Sequence, residues 1–246
     1  MNAKLPGMTP KRIVFLPTLN ERANLQYLFE RLERLPLPRF KVLVIDDRSP
    51  DGTADFVRNY RGTRFDAEVL VRQGLRGRGL AGRDAFHRAA LEEADELIEM
   101  DADGSHDPAE IPALLEARAR AGADLVVGSR RLGITQSYGE WPIARRLLTA
   151  ATNLFARTVL GVPCWDCNSG FRCYGRAAIA AVEAAGIAAT GSDVVHETLF
   201  RIYAAGLRVI ESPIRYHDRR AGNSTKTSTD LFRALATCVR LRASRN

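Results

Sequence analysis

The chain has 246 residues, 46% hydrophobic and 26% charged, the balance of a folded α/β protein with a substantial core and not of a disordered or fibrous one. Lysine and arginine outnumber aspartate and glutamate by 36 to 29, a formal charge of +7, which favours phosphates or anionic surfaces without choosing between them. No apolar run approaches the roughly 18 residues that span a bilayer, and Met1 to Pro10 lacks the apolar core of a secretory signal, so a cytoplasmic or peripheral protein is expected.

In chain order, Arg12 to Leu16 is an apolar run ended by Pro17. Asn20 can then cap a helix whose apolar positions Leu25, Leu28, Phe29 and Leu32 recur at helical spacing. Pro36 and Pro38 break that helix. Lys41 to Ile45 makes a second buried strand, which ends in Asp46-Asp47-Arg48-Ser49-Pro50-Asp51-Gly52-Thr53. A short helix to about Tyr60, a strand at Glu68 to Val71 and a helix from Leu80 to Ala94 follow.

Next comes Leu97-Ile98-Glu99-Met100-Asp101-Ala102-Asp103-Gly104-Ser105-His106-Asp107-Pro108, an apolar strand delivering two carboxylates one residue apart. Strand alternation would point Asp101 and Asp103 the same way. Two such carboxylates repel unless a proton or cation relieves them, and Mg2+ typically takes one or two carboxylates plus substrate phosphate oxygens. On its own the spacing is a weak signal and fits a solvated acidic turn before the next helix better. A helix from Pro108 to Ala121 and a strand from Asp124 to Gly128 lead to Ser129-Arg130-Arg131. Alternating strands and helices predict an open, mostly parallel sheet whose ligands lie beyond the strands' carboxyl ends, where Glu21, Asp47, Asp101, Asp103 and Arg130 would gather. With no internal repeat or low-complexity linker, one domain covering 1–246 is the simplest count.

The second half differs in character. Trp141 to Leu160 carries an apolar stripe interleaved with arginines, Phe171 to Tyr174 reads as a strand, and helices are expected at Arg176 to Ala185 and Asp193 to Ala205. Arg208 to Tyr216, broken by Pro213, leads into His217-Asp218-Arg219-Arg220-Ala221-Gly222-Asn223-Ser224-Thr225-Lys226, whose glycine and cations suit phosphate gripping. The last helix, about Thr229 to Ala243, is amphipathic and basic. Cys164, Cys167 and Cys173 could hold zinc or a disulfide, but three thiols with no nearby histidine in a reducing compartment read better as free cysteines.

Pro17-Thr18-Leu19-Asn20-Glu21, the Asp46 to Thr53 and Asp101 to Pro108 segments, Gly128-Ser129-Arg130 and Asn168-Ser169-Gly170-Phe171-Arg172 occur in the order typical of family 2 glycosyltransferases. From about Arg12 to Lys226 the chain resembles the polyprenyl-phosphate (dolichyl-phosphate) mannosyltransferases. The resemblance implies a GT-A fold, inverting transfer from GDP-mannose to a polyprenyl monophosphate, and a divalent cation, Mg2+ or Mn2+. It further implies that Pro17, Leu19, Glu21, Ile45 and Asp47 line the nucleoside pocket. Asp101, Ala102 and Asp103 would face the diphosphate, with Asp101, Asp103 and Ser105 by the metal. Arg130, Arg219 and Lys226 would neutralise phosphate, and Arg145 and Thr149 would meet the acceptor phosphate. Residues of about 12–130 form the donor half and 131–246 the acceptor half, with Asp101, Asp103 and Arg130 as the catalytic set.

The chain departs from that pattern in places. Leu19 stands where an aromatic is usual, Arg76-Gly77-Arg78-Gly79 stands in for a Lys and Gly-Leu-Gly turn, Lys226 falls one residue late, and Ala150 and Ala151 replace an Arg-Gly pair. A phosphate acceptor is already anionic and needs no strong base, so for the acceptor-half acids Asp166, Asp193 and Glu197 a base role is the lesser reading, and Glu197 is expected to hold a helix or orient an arginine. Without a spanning segment, a soluble catalyst must sit peripherally on the cytoplasmic face of the membrane, alone or with a separate anchoring protein. The rival readings are another family 2 transferase, using UDP-glucose for instance, and a non-catalytic nucleotide-binding module. Nucleic acid is disfavoured as a partner by acidic strand ends and by the lack of any aromatic-interleaved basic stretch.

Overall fold

A computed structural model describes residues 9–132, 143–217 and 228–244, the side chains of Arg145 and Ser228 excepted. Seven strands, β1 (Arg12–Thr18), β2 (Phe40–Asp46), β3 (Phe65–Val71), β4 (Glu96–Glu99), β5 (Leu125–Ser129), β6 (Arg172–Gly175) and β7 (Val209–Pro213), form one sheet in the order β3-β2-β1-β4-β6-β5-β7. All neighbours are parallel except β6, which runs antiparallel to both β4 and β5. The helices are α1 (Arg22–Glu33), α2 (Thr53–Asn59), α3 (Arg78–Leu91), α4 (Ile111–Ala121), α5 (Ile143–Leu160), α6 (Arg176–Ala185), α7 (Val194–Ala204) and α8 (Ser228–Ala243).

Each central strand is apolar on both sides, because both faces of the sheet are covered. Ile13, Phe15, Leu43, Leu125 and Val127 join the core built with α3, α6 and α7, while Val14, Leu16, Val42, Val44 and Val126 join the core built with α1, α2 and α4. The strands and helices expected from periodicity are all present. β3 begins three residues earlier than Glu68, since Phe65 stacks on Tyr60 and Phe40 and meets Phe29 edge-on. That aromatic cluster is a tertiary signal that strand periodicity does not carry.

Asn20 does not cap α1. It takes a left-handed conformation (φ 59°), and the turn is closed from another loop, where the backbone N–H groups of Asn20, Glu21 and Arg22 donate to Ser49 Oγ (2.8 Å), Thr53 Oγ1 (3.2 Å) and Asp51 Oδ2 (3.0 Å). The orphan donors of a helix start are thus met by residues about thirty positions away.

On the sheet's amino-end side, Glu92 collects three cations, Lys41 at 2.6 Å, Arg88 at 2.6 Å and Lys11 at 3.2 Å. Burial pushes its carboxyl upward, but hydrogen bonds from Lys41, Arg88 and Lys11 outweigh that and hold it at about 2. A group with a depressed folded value contributes stability above its unfolded value of 4.5 and loses it as pH falls toward about 2. Glu92→Gln is therefore expected to lower the urea midpoint at neutral pH and to flatten its decline between about pH 4.5 and 2. Parallel pH profiles for variant and parent would refute this.

Candidate active site

The carboxyl ends of β1 and β2 carry Glu21, Asp46 and Asp47, and protein partners hold each of them. Asp46 accepts from Thr18 Oγ1 (3.2 Å) and from the Ser49 N–H (2.9 Å) and hydroxyl (2.5 Å), closing the turn after β2. Asp47 pairs with Arg72 and accepts the Gly77 N–H at 2.7 Å, while Arg72 also reaches Asp84 at 2.7 Å. Glu21, nearly buried, accepts from the Asn24 amide at 2.6 Å. Pro17 and Leu19 are half-buried at the same rim. Ile45 is a correction: it is fully buried in the core cluster of Phe15, Leu43 and Ala81, so it backs the pocket and its side chain cannot line it.

The acidic loop is also built differently from the strand-alternation expectation. β4 stops at Glu99, and 102–105 form a turn, so alternation does not orient the carboxylates. A turn brings them together instead. Asp103 Oδ1 accepts the Ser105 N–H at 3.0 Å, and the Asp101 N–H donates to His106 Nδ1 at 3.0 Å, which puts the histidine's proton on Nε2. His106 is buried against Phe171 (ring centroids 5.0 Å apart) and Tyr216 (5.8 Å). Burial lowers its pKa, outweighing the pull of Asp101 and Asp103, so it is neutral near pH 7. Burial raises the pKa of Tyr216, and the charge of Asp101 and, more weakly, of Asp103 acts in the same direction. The segment after β7 is stitched to this loop by the His106–Tyr216 bridge and by the His217 N–H to the Ser105 carbonyl, 3.0 Å.

Among the described residues no group of three or more His, Cys, Asp or Glu converges as metal ligands. Two acids and the Ser105 hydroxyl, which is buried with no partner at hydrogen-bond geometry, are the available donors. That set fits Mg2+ or Mn2+ taking its remaining oxygens from a diphosphate and water. Ala102, between the acids, is buried.

Arg130 follows β5 and is gripped by Asp166. The carboxylate takes its backbone N–H (2.9 Å), Nε (2.7 Å) and Nη2 (2.7 Å), and the guanidinium lies 5.3 Å from the Tyr216 ring centroid. The Nε/Nη2 fork of the arginine expected to neutralise phosphate is thus filled by Asp166. Asp166 is fully buried, and although burial pushes its carboxyl up, Arg130 holds it below the usual carboxylate range. Glu197 accepts the Ala188 (3.1 Å) and Ala189 (2.6 Å) N–H groups, and Asp193 accepts the Thr237 hydroxyl at 2.8 Å. Glu197 also accepts from Arg201 Nη2 at 3.2 Å, so it does orient an arginine, and protein partners hold Asp166 and Asp193 as well.

On α5 the Thr149 carbonyl accepts from Thr152 Oγ1 (3.1 Å) and the Asn153 amide (3.0 Å), and Asn168 links Thr152, Asn153 and His196 at 2.9–3.1 Å. Arg145 lies on the same helix one turn before Thr149. Arg219 and Lys226 lie outside the described residues. Arg172 of the Asn168 to Arg172 motif is fully buried and donates to the carbonyls of Ser169, Val195 and Cys167, so it ties loops together. The four cysteines are buried free thiols, and burial raises Cys173 to about 12. Arg72 and Tyr216 lack any motif signal, since each is defined by partners distant in sequence.

Residues 13–180 match the profile described as "Glycosyl transferase family 2". The chain is 37% identical over 216 residues, 86% of each chain, to undecaprenyl-phosphate mannosyltransferase of Micrococcus luteus. It is 33% identical to polyprenol monophosphomannose synthase of Mycolicibacterium smegmatis, over 92% of this chain and 85% of that protein. In structure it is similar to Mycobacterium tuberculosis glucosyl-3-phosphoglycerate synthase in complex with Mn2+, UDP and glucosyl-3-phosphoglycerate, with TM-score 0.68 at 18% identity over 99% of this chain and 86% of that one. With the profile covering more than half its length and these relatives most of it, the chain belongs to glycosyltransferase family 2 and is a glycosyltransferase of GT-A fold.

Proposed function

We propose that the enzyme transfers mannose from GDP-mannose to a polyprenyl monophosphate, with inversion at the anomeric carbon, within one catalytic domain. The observation that carries this reading is the turn at the sheet's carboxyl rim, where Asp103 accepts the Ser105 N–H, the Asp101 N–H donates to His106, and the Arg130 guanidinium lies 5.3 Å from the ring of Tyr216, the residue bridged to His106. Two named relatives act on polyprenyl phosphates, which supports the acceptor class. Pro17, Leu19, Glu21 and Asp47 would meet the nucleoside, and a carboxylate can accept paired bonds from ribose hydroxyls or guanine N–H groups. Arg219 and Lys226 would neutralise phosphate, and Arg145 and Thr149 would hold the acceptor phosphate. A divalent cation held by Asp101, Asp103 and Ser105 would supply Lewis-acid stabilisation of the departing diphosphate. The protein's task is then alignment, because an anionic acceptor needs no proton removed.

The direct test mixes the purified protein with GDP-mannose, UDP-glucose and other donors, a short polyprenyl phosphate and Mg2+ or Mn2+, and identifies the glycolipid by mass. A mannosyl product formed from GDP-mannose alone is expected. A glucosyl product, or none with any donor, overturns the reading.

No described helix is long and apolar enough to cross a membrane. A polyprenyl chain leaves the bilayer at a cost of roughly 0.8 kcal/mol per CH2, so the acceptor site must come to the surface. α5 exposes Ile143, Leu147, Leu148 and Leu154, and α8, packed on α5, exposes Phe232 and Val239 beside Arg240 and Arg242. α8 also buries Thr237, Cys238 and Leu241, so deleting it would damage the core, and surface substitution is the cleaner probe. Leu147→Ser combined with Phe232→Ser is expected to weaken co-sedimentation with anionic liposomes by at least about tenfold, with melting unchanged. Undiminished binding would remove these two helices as the membrane-facing surface.

A further inference from the structure

Arg78 opens α3 and lies against the acid assigned to the ion. Its Nη1 is 2.6 Å from Asp101 and its Nη2 is 3.1 Å from Glu99, which also accepts the Tyr174 hydroxyl at 2.8 Å. Room for the guanidinium is made at Gly170, where a Cβ would overlap Nη2. The adjoining Gly77 and Gly79 are equally constrained, since a Cβ on either would strike the 189–190 backbone, and the Gly79 N–H donates to the Thr190 carbonyl at 3.0 Å. A cation in the first turn of a helix works against the helix dipole, and burial alone would disfavour its charge. Asp101 and Glu99 outweigh that desolvation and raise the arginine's pKa above its ordinary value. Arg78 is therefore a charged group fixed in one place by two carboxylates and a glycine.

A guanidinium and a divalent ion draw on the same carboxylate oxygens and repel each other at close range. We propose that Arg78 is a resident counter-cation for Asp101, which keeps the site's affinity for a divalent ion low until a nucleoside diphosphate brings in negative charge. Ion and donor then enter as a unit, and the ion-free protein avoids the repulsion of two bare carboxylates. This rests on the assignment of Asp101 and Asp103 to the ion, so the test must be able to fail for either reason.

Mn2+ binding to the full chain, read from the spin-resonance signal of free Mn2+ and corrected for chelation by GDP in solution, separates the cases. In the parent and in Arg78→Lys, GDP should tighten Mn2+ binding at least tenfold. In Arg78→Met/Glu99→Gln, which removes the cation together with the Glu99 charge so that Asp101 alone is released, Mn2+ binding without GDP should tighten at least tenfold and the GDP effect should shrink. Should that variant fail to fold, Arg78→Gln, which keeps a donor for Glu99 but loses the charge, carries the same expectation. Parent-like Mn2+ affinity in the charge-deleted variants overturns the role of Arg78 alone. No Mn2+ binding by the parent, with or without GDP, overturns the ion assignment and Arg78's role with it.

Discussion

Asp103→Asn is expected to cut transfer by at least about 100-fold while leaving the fold in place. Asp103 is nearly buried, and its Oδ1 accepts the Ser105 N–H at 3.0 Å. Asparagine retains that acceptor, so the turn is kept, and what disappears is one negative charge facing Tyr216 and Asp101. Steady-state transfer, metal titration and thermal melting on the same preparation make the test. Near-parental turnover with the same metal dependence would sink the assignment. Asp101→Asn is the informative companion, because it additionally releases Arg78 from its 2.6 Å ion pair and should alter stability as well as rate.

The second large effect is on stability. Asp166→Ala should cost about 3–5 kcal/mol, because it strands the buried Arg130 without the carboxylate that takes three of its N–H groups. Urea unfolding reads the loss directly. Arg130→Met with Asp166→Leu, which removes both charges and keeps apolar volume, should recover most of the stability but not the transfer activity, since the guanidinium charge is gone. Recovery of both would show that the pair serves folding only. The sign with pH follows from the depressed Asp166 value: the ion pair's contribution is full above 3.8, the ordinary value, and fades as pH falls below it.

Fold and site are unequally legible in the amino-acid sequence. Strand and helix positions can be read because period-2 and period-3.6 apolar patterns are local, and Ile13 to Leu16 and Leu25 to Leu32 carry them plainly. Once those strands are placed, the acids that follow them fall at the sheet's carboxyl rim, where the structure has them. What is not legible is pairing across the chain. Asn20 has the right chemistry for a cap, yet Ser49, Asp51 and Thr53 do the capping. Asp101 and Asp103 share a site through a turn stitched by His106 and Tyr216, which no spacing rule contains. Ile45 borders a motif but points inward, and Arg130 has the charge for phosphate but meets Asp166 first. Each of these depends on a partner 25 or more residues away, or on which side of the sheet a residue falls.

The reversed strand β6 has a practical corollary for altering the protein. Because β6 alone enters the sheet from the carboxyl rim, the 161–171 segment is threaded between the acidic loop and Arg130 before pairing begins. Lengthening that segment by even one residue would shift Phe171 against His106 and Asp166 against Arg130 together. The amino-end rim has the opposite character. Exposed turns at Gly122 (φ 58°) and Gly206 (φ 76°) precede β5 and β7, and a Cβ there meets nothing within 4 Å. Fluorophores, affinity tags or a fused anchoring domain belong at those two turns, where added chain leaves the chemistry at the far end of the strands undisturbed.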